Sequence, residues 1–255
     1  MTKQIFTNGN LERKADFHIA YTPEQSGALK LIIHSKTSVL HYRQLKSHCQ
    51  ITISELGITS GTLEITDNGG QYFVLKARLE ACIKVAHPKT EVESLPVKIT
   101  NSNYKSSRNR FRRSRLYLPG TQAKLMLNAG IHKPDAIILD LEDSVAPSEK
   151  DAARLIVRNA LRSLDFFGAE HMVRINQGNI GLKDLEAVIP QNVHLILIPK
   201  VETADELKLV DEKISEICGK CNRKEPVFLM PILESAQGIL NSLEIAKASK
   251  NNVAI

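Results

Sequence analysis

Cysteine is scarce in this 255-residue chain: Cys49, Cys82, Cys218 and Cys221 are all it has. So few thiols exclude a disulfide scaffold and fit a reducing, cytoplasmic setting. No apolar run reaches the roughly 18 residues that a bilayer span requires, so no membrane partner is expected. The first ten residues are polar and lack the apolar centre of a signal peptide. A glycine-rich phosphate loop is missing too, because Asn68-Gly69-Gly70 reads as a hairpin turn. No Ser/His/Asp arrangement carries a recognisable local signature. Cys218-Gly-Lys-Cys221 is a single CxxC without a second Cys/His pair at zinc spacing, so it reads as a loop coincidence. The eight histidines are scattered, and His48 is expected to pack on a helix.

What the chain does have is charge in one place. The net charge is +6, and residues 101–115 hold Lys105, Arg108, Arg110, Arg112, Arg113 and Arg115 with no acid. The stretch is rich in Ser, Asn and Arg and has no apolar periodicity. It reads as a solvated basic linker over 96–111. Aromatics make up only 5% of the chain, and this stretch has just Tyr104 and Phe111. A nucleic-acid arm would need more stacking surface, so no nucleic-acid partner is expected.

Residues 1–95 read as a small α+β domain of order ββαββα. Asp16–Tyr21 and Ala28–Ile33 flank a turn-rich loop and are predicted to form a hairpin. Leu40, Leu45, Cys49, Ile53 and Leu56 recur at helical spacing over Ser38–Leu56, which Gly57 closes. Thr62–Thr66 and Gln71–Leu75 are predicted to form a second hairpin, and Arg78–His87 a short helix ending before Pro88. Ile32-Ile-His-Ser35, Thr66-Asp-Asn-Gly-Gly70 and above all Leu75-Lys-Ala-Arg-Leu-Glu80 resemble the acyl-carrier (gamma) subunit of citrate lyase. In that family a serine after a Gly-Thr-Leu-Glu segment carries a dephospho-coenzyme A-type arm. Here Gly9-Asn-Leu-Glu12 is followed by Arg13 and Lys14. Neither has the hydroxyl that a phosphodiester requires, so the modification is not carried over. A docking or assembly role is expected instead.

Residues 112–255 repeat a different unit. Apolar segments at Leu116–Leu118, Ala136–Leu139, His171–Val173, His194–Ile198 and Val227–Met230 alternate with helix-like stretches such as Ala204–Ile217 and Ser235–Ala248. A sixth segment begins at Val253. Near-continuous apolar strands between amphipathic helices imply a parallel sheet buried on both faces, of the (β/α)8 TIM-barrel type. Four consecutive strands end in polar groups: Asp140, Glu142 and Asp143, then Arg174 and Asn176, then Lys200 and Glu202, then Glu234. In a barrel that edge is the mouth of the active site.

Arg112-Arg-Ser-Arg-Leu-Tyr-Leu-Pro-Gly120, Leu139-Asp-Leu-Glu-Asp-Ser-Val145 with Lys150 and Arg154, Val173-Arg-Ile-Asn176, Ile198-Pro-Lys-Val-Glu202 and Ile232-Leu-Glu-Ser-Ala-Gln-Gly238 resemble the citrate lyase beta subunit. That subunit belongs to the HpcH/HpaI aldolase/citrate lyase superfamily of Mg-dependent carbon–carbon lyases. The chain thus looks like a gamma–beta fusion. The resemblance implies cleavage of a citryl-type thioester to oxaloacetate and an acetyl thioester. Malyl- or citramalyl-coenzyme A lyase chemistry is the alternative, and a non-catalytic assembly subunit a third possibility. It implies Mg²⁺ with Glu234 as one ligand, and Arg174 on the oxaloacetate carboxylate. It also implies Asp140, Glu142 and Asp143 near the metal, Lys200 at the mouth, Asn176 facing substrate, and Pro119 and Gly120 beside a coenzyme A-type thioester arm. A homo-oligomer or a citrate-lyase-like complex is the expected assembly. A full barrel takes about 250 residues, more than 112–255 supplies. The expectation is therefore a C-terminally incomplete barrel that shows no lyase turnover when purified alone.

Overall fold

The computed structural model describes residues 4–35 and 39–255, which divide into two compact units, 1–97 and 98–255. The expected helix start at Ser38, the Leu40 side chain and the first three residues lie outside the described part.

The first unit runs β1 (Phe6–Asn8), β2 (Phe17–Thr22), β3 (Lys30–Ser35), α1 (Val39–Glu55), β4 (Thr62–Asp67) and α2 (Tyr72–Ala86). Its sheet has the order β1-β2-β4-β3, with β2 antiparallel to both neighbours and β3 parallel to β4. Neither expected hairpin forms. On β2 the side chains of Phe17, Ile19 and Tyr21 alternate inward, and Ile19 and Tyr21 sit opposite the buried Ile65 and Leu63 of β4. The two most apolar faces therefore pair at the centre, which leaves the half-exposed β3 at the edge. Gln71–Leu75 is not a strand: Gln71 caps α2 and the rest opens it. A five-residue apolar run does not by itself distinguish a strand from a buried helix, and here Phe73–Ile83 is buried without interruption. The order is therefore βββαβα, and Asp67–Gly70 is a strand-to-helix turn.

On α1, Leu45, Cys49, Ile53 and Leu56 are buried as their spacing predicts. Gly57, at φ +69°, ends the helix: its N–H donates to Ser54 and that of Ile58 to Ile53, the paired bonds of a Schellman cap.

The second unit runs β5 (Arg115–Pro119), α3 (Ala123–Leu127), β6 (Ala136–Asp140), α4 (Lys150–Ser163), β7 (Glu170–Arg174), α5 (Gly178–Val188), β8 (Leu195–Ile198), α6 (Ala204–Lys220), β9 (Phe228–Pro231), α7 (Ala236–Leu240) and α8 (Ser242–Lys247). The five strands pair in chain order, all parallel. One face carries the cluster of Ala136, Ile138, Met172, Leu195, Leu197, Phe228 and Met230. The alternate residues Ile137, Leu139, Val173 and Ile196 are buried on the other, as expected of a parallel sheet. A bridge from Leu229 to Asn252 starts a sixth pairing. The sheet does not close into a ring among the described residues. The expected Ser235–Ala248 helix is two short ones, α7 and α8.

The basic stretch differs most from expectation. Residues 98–114 belong to the second unit and lie along the N-terminal edge of its sheet, not free in solvent. Arg112 grips the buried Glu170 with two hydrogen bonds, Nε to Oε2 at 2.6 Å and Nη2 to Oε1 at 2.8 Å. Arg110 donates to the carbonyls of Asp135 and Gly168, and Arg108 to those of Lys250 and Asn252. Tyr104 donates its hydroxyl to Ala169 O at 2.6 Å and packs against the stacked rings of His171 and His194. Carbonyls at the lower ends of the strands and helices need donors, and the arginines supply them. Periodicity cannot show this, because the partners are backbone atoms. No helix among the described residues is long and apolar enough to cross a membrane.

Candidate functional site at the C-terminal edge of the parallel sheet

The strand register assembles the site. Pro119, Asp140, Arg174 and Leu197 lie side by side across β5 to β8, so the last residues of β6 and β7 face one another. Arg174 donates Nε to Asp140 Oδ1 and Nη2 to Asp140 Oδ2, both at 2.7 Å. Its Nη1 lies 3.2 Å from Glu142 Oε2 and 3.7 Å from Asp143 Oδ2. The guanidinium also stands over the Tyr117 ring, 5.3 Å from its centroid. Lys200 reaches the same acids, with Nζ 2.7 Å from Glu142 Oε1 and 3.3 Å from Asp143 Oδ1. It does so from a left-handed backbone position, φ +53°, where a side chain with a Cβ is strained.

Asp140 works inward. Besides Arg174, its carboxylate accepts the N–H groups of Glu142 and Ser144, and so shapes the loop that presents Glu142 and Asp143. Lys150 holds that loop from below by donating to the carbonyls of Leu141 and Glu142. Gly120 is needed at the end of β5: its N–H donates to Asp140 O, and a Cβ there would come within 2.8 Å of that oxygen. Asp140 is therefore the clamp on Arg174. The oxygens left facing the mouth are those of Glu142, Asp143 and Glu234.

The electrostatics follow from these contacts. Burial acts to raise the Asp140 carboxyl, but the hydrogen bonds from Arg174 and Ser144 outweigh it and hold it below the usual carboxylate range. The hydrogen bonds to Asp140 push Arg174 up, and those to Glu142 and Asp143 push Lys200 up. Burial pushes Tyr117 up, with Arg174, Arg115, Asp140 and Glu234 as its charged neighbours. Asp140, Glu142 and Asp143 are answered by Arg174, Lys150 and Lys200, and Glu234 adds a further negative charge. One carboxylate oxygen, Glu142 Oε2, is buried with the Arg174 guanidinium, 3.2 Å away, as its ion-pair partner. An all-oxygen, acid-rich set of this kind suits a hard divalent cation that takes one or two carboxylates and completes its shell with water. No group of three or more His, Cys, Asp or Glu that could by itself enclose a metal occurs among the described residues.

Of the expected site residues, the structure brings together Asp140, Glu142, Asp143, Arg174 and Lys200. Asn176 follows on the same side of β7 and is buried. Glu202 is exposed and stays outside the cluster. Sequence reasoning missed Tyr117 and also Gln177, whose Nε2 donates to Glu142 Oε1 at 3.3 Å. For Tyr117 the available signal was parity, since it lies two residues before Pro119 on one face of the strand.

In the first unit the segment that carries the carrier resemblance is a buried ionic framework. Arg78 grips Asp16 with two hydrogen bonds and donates to Asn8 Oδ1. Lys76 meets Glu55 and Ser94, and Glu80 meets Lys84 and the N–H of Ser94. This framework anchors the 9–15 loop that displays Arg13 and Lys14. The Asp67–Gly70 turn accommodates no phosphate, because Asp67 itself accepts the N–H groups of Gly69 and Gly70. His48 stacks on Tyr72, with ring centroids 4.0 Å apart.

A parallel α/β sheet with its charged groups gathered at the C-terminal strand ends defines a class, that of α/β folds with a candidate site at the strand mouths. The chain belongs to the HpcH/HpaI aldolase/citrate lyase family, which matches residues 113–255. It is similar to the citrate lyase subunit beta of Haemophilus influenzae, with 39% identity over 149 residues, 57% of this chain and 51% of that protein. It is 36% identical over 159 residues to the citrate lyase subunit beta of Escherichia coli, 61% of this chain and 52% of that one. The mitochondrial citramalyl-CoA lyase of Mus musculus is 35% identical over 134 residues, 51% of this chain and 40% of that one. Among solved structures, a citrate lyase beta subunit from M. tuberculosis, complexed with oxaloacetate and magnesium, is 28% identical. That match covers 56% of this chain and 57% of that one at a TM-score of 0.44. The chain spans about half the length of the curated citrate lyase relatives it matches.

Proposed function

We propose that the second unit carries the carboxylate-binding half of a coenzyme A-type thioester lyase that cleaves a citryl-type thioester into oxaloacetate and an acetyl thioester. The observation that carries this reading is the clamped Arg174. Asp140 fixes Nε and one hydrogen of Nη2; the Nη1–Nη2 edge turns to the mouth, where a substrate carboxylate would take two parallel hydrogen bonds by displacing Nη1 from its ion pairs with Glu142 and Asp143. Lys200, tied to Glu142 and Asp143, adds a second cation at the mouth. In the reaction the hydroxyl loses its proton, the adjacent carbon–carbon bond breaks, and the alkoxide becomes the ketone of oxaloacetate. The bonding electrons pass to the carbon next to the thioester carbonyl, as an enolate, and that carbon is then protonated to give the acetyl thioester. Glu234 would hold a magnesium ion, with Glu142 and Asp143 as further carboxylates at the same edge, and the bound ion would polarise the oxygens of the hydroxy acid.

Malyl- or citramalyl-coenzyme A is the second reading. Arg13 and Lys14 favour it: the first unit, if it is a carrier-type domain, has no hydroxyl there for a covalent arm, and a free thioester needs none. Intact-mass measurement of the native protein should show no attached arm.

Titration of oxaloacetate into the 255-residue chain in magnesium-containing buffer tests the proposal. Binding that disappears in Arg174→Ala is expected, and no binding by the unmodified chain overturns it. Competition between citryl- and malyl-coenzyme A then orders the two substrates.

A further inference from the structure

Asn176 is held more tightly than a loop residue requires. It follows β7 on the face that carries Met172 and Arg174, and its neighbour Asp184 on α5 is fully buried. One oxygen of Asp184, Oδ2, accepts both the backbone N–H of Asn176 at 2.9 Å and its side-chain Nδ2 at 2.8 Å. The other, Oδ1, accepts Arg154 Nε at 2.7 Å. The carbonyl of Asn176 is confined as well. It lies against Gly181, where a Cβ would approach to 2.0 Å, so only glycine lets α5 come close enough for Asp184 to reach. Backbone donor, backbone acceptor and side-chain amide are thus all fixed by one turn of α5.

This fixing decides which end of the amide is on offer. Nδ2 is committed to Asp184, whereas Oδ1 accepts no hydrogen bond among the described residues and is not one of the buried orphaned atoms. Asn176 borders a cavity of about 190 Å³ shared with Gln177, Leu182, Pro199, Lys200 and Leu209. Through Lys200 that cavity adjoins the Arg174 cluster.

We infer that Asp184 is a positioning residue that orients the Asn176 amide so that Oδ1 accepts the hydroxyl hydrogen of the hydroxyacyl substrate. The inference rests on the reading given under Proposed function and adds a rule for discrimination. Arg174 and Lys200 recognise carboxylates whether or not a hydroxyl is present. Asn176, presented oxygen first, rewards a ligand that donates and is left unpaired by one that cannot.

Citrate and tricarballylate, which differ only in the hydroxyl, separate these contributions when titrated into the 255-residue chain beside oxaloacetate. The expected preference is about five- to tenfold for citrate, the size of one net hydrogen bond. Asn176→Ala should bring the ratio of dissociation constants to about one, still with a single hydrogen bond at stake. Asp184→Asn should lower it while tricarballylate binding stays unchanged, an outcome that general loosening of the fold does not produce. Thermal unfolding accompanies each variant, and Asn176→Ala carries the test if Asp184→Asn does not fold. Equal binding of the two acids by the unmodified chain, or an undiminished ratio in a folded variant, overturns the inference and leaves the proposed function standing. Failure to bind oxaloacetate or either acid overturns both.

Discussion

Strand β7 begins and ends with a buried arginine–carboxylate pair, and the two pairs differ in what they leave over. At the lower end Glu170 is fully buried, and Arg112 uses both sides of its fork on that acid while its remaining donors end on the carbonyls of Ser107, Arg108 and Arg110. At the upper end Arg174 is clamped by Asp140 with similar geometry, but its Nη1 faces Glu142 and Asp143 across an open mouth. The lower pair is closed and the upper pair is poised. An ion pair whose donors all end inside the protein is architecture. One whose outer donor meets only the acids of the mouth, beside strained Lys200, can exchange those partners for a ligand.

The largest effect that would test this contrast is expected at the floor. Glu170→Ala leaves Arg112 buried without its acid and should cost about 3–5 kcal/mol, read from urea unfolding. A loss no greater than that of a surface substitution would mean the pair is not structural. Arg174→Lys comes next, and its effect should fall on binding. Lysine cannot fill both the Asp140 clamp and the carboxylate edge, so oxaloacetate affinity should drop about 30-fold with little change in the unfolding midpoint.

A pH effect separates floor from mouth again. Burial pushes His171 down to about 3 and His194 to about 4, whereas an unfolded histidine protonates near 6.5. The folded state therefore binds fewer protons below that value. The stability from keeping these rings neutral is complete above about pH 6.5 and is lost progressively as pH falls towards the folded values. The expected slope is about 1.4 kcal/mol per pH unit for each imidazole, seen as falling denaturation midpoints from pH 6.5 to 5. His194→Asn should roughly halve it, and an unchanged slope would assign the effect elsewhere. The smallest change is expected from Lys200→Met. Its exposed ion pairs are screened by solvent, so the midpoint should not move and only carboxylate binding should weaken.

Much of the mouth was legible in the sequence, because parallel strands bring their ends to one edge whatever the details of packing. Asp140, Arg174 and Lys200 could be placed from the apolar segments alone. The roles within the cluster were not legible. That Asp140 spends both oxygens on Arg174 and the following loop, instead of facing a ligand, depends on side-chain geometry that spacing does not encode. In the first unit β2 and β3 alternate as a hairpin would, yet β4 comes between them, because non-local burial of Ile65 and Leu63 outweighs the short connection. Gln71–Leu75 looked like a strand because a run that short carries no period. The floor was the least legible: its arginines pair with carbonyls, and carbonyls leave no trace in a sequence.

That floor also bears on how the chain is divided. The family match begins at Arg113, which invites a fragment that starts there. Such a fragment would lack Tyr104, Arg108, Arg110 and Arg112. The His171 and His194 rings would lose the Tyr104 ring, and Glu170 its arginine. A fragment started at residue 98 keeps every one of these contacts. Trypsin should spare Arg110 and Arg112, whose guanidinium groups are tied down, although composition marks the stretch as its most inviting target.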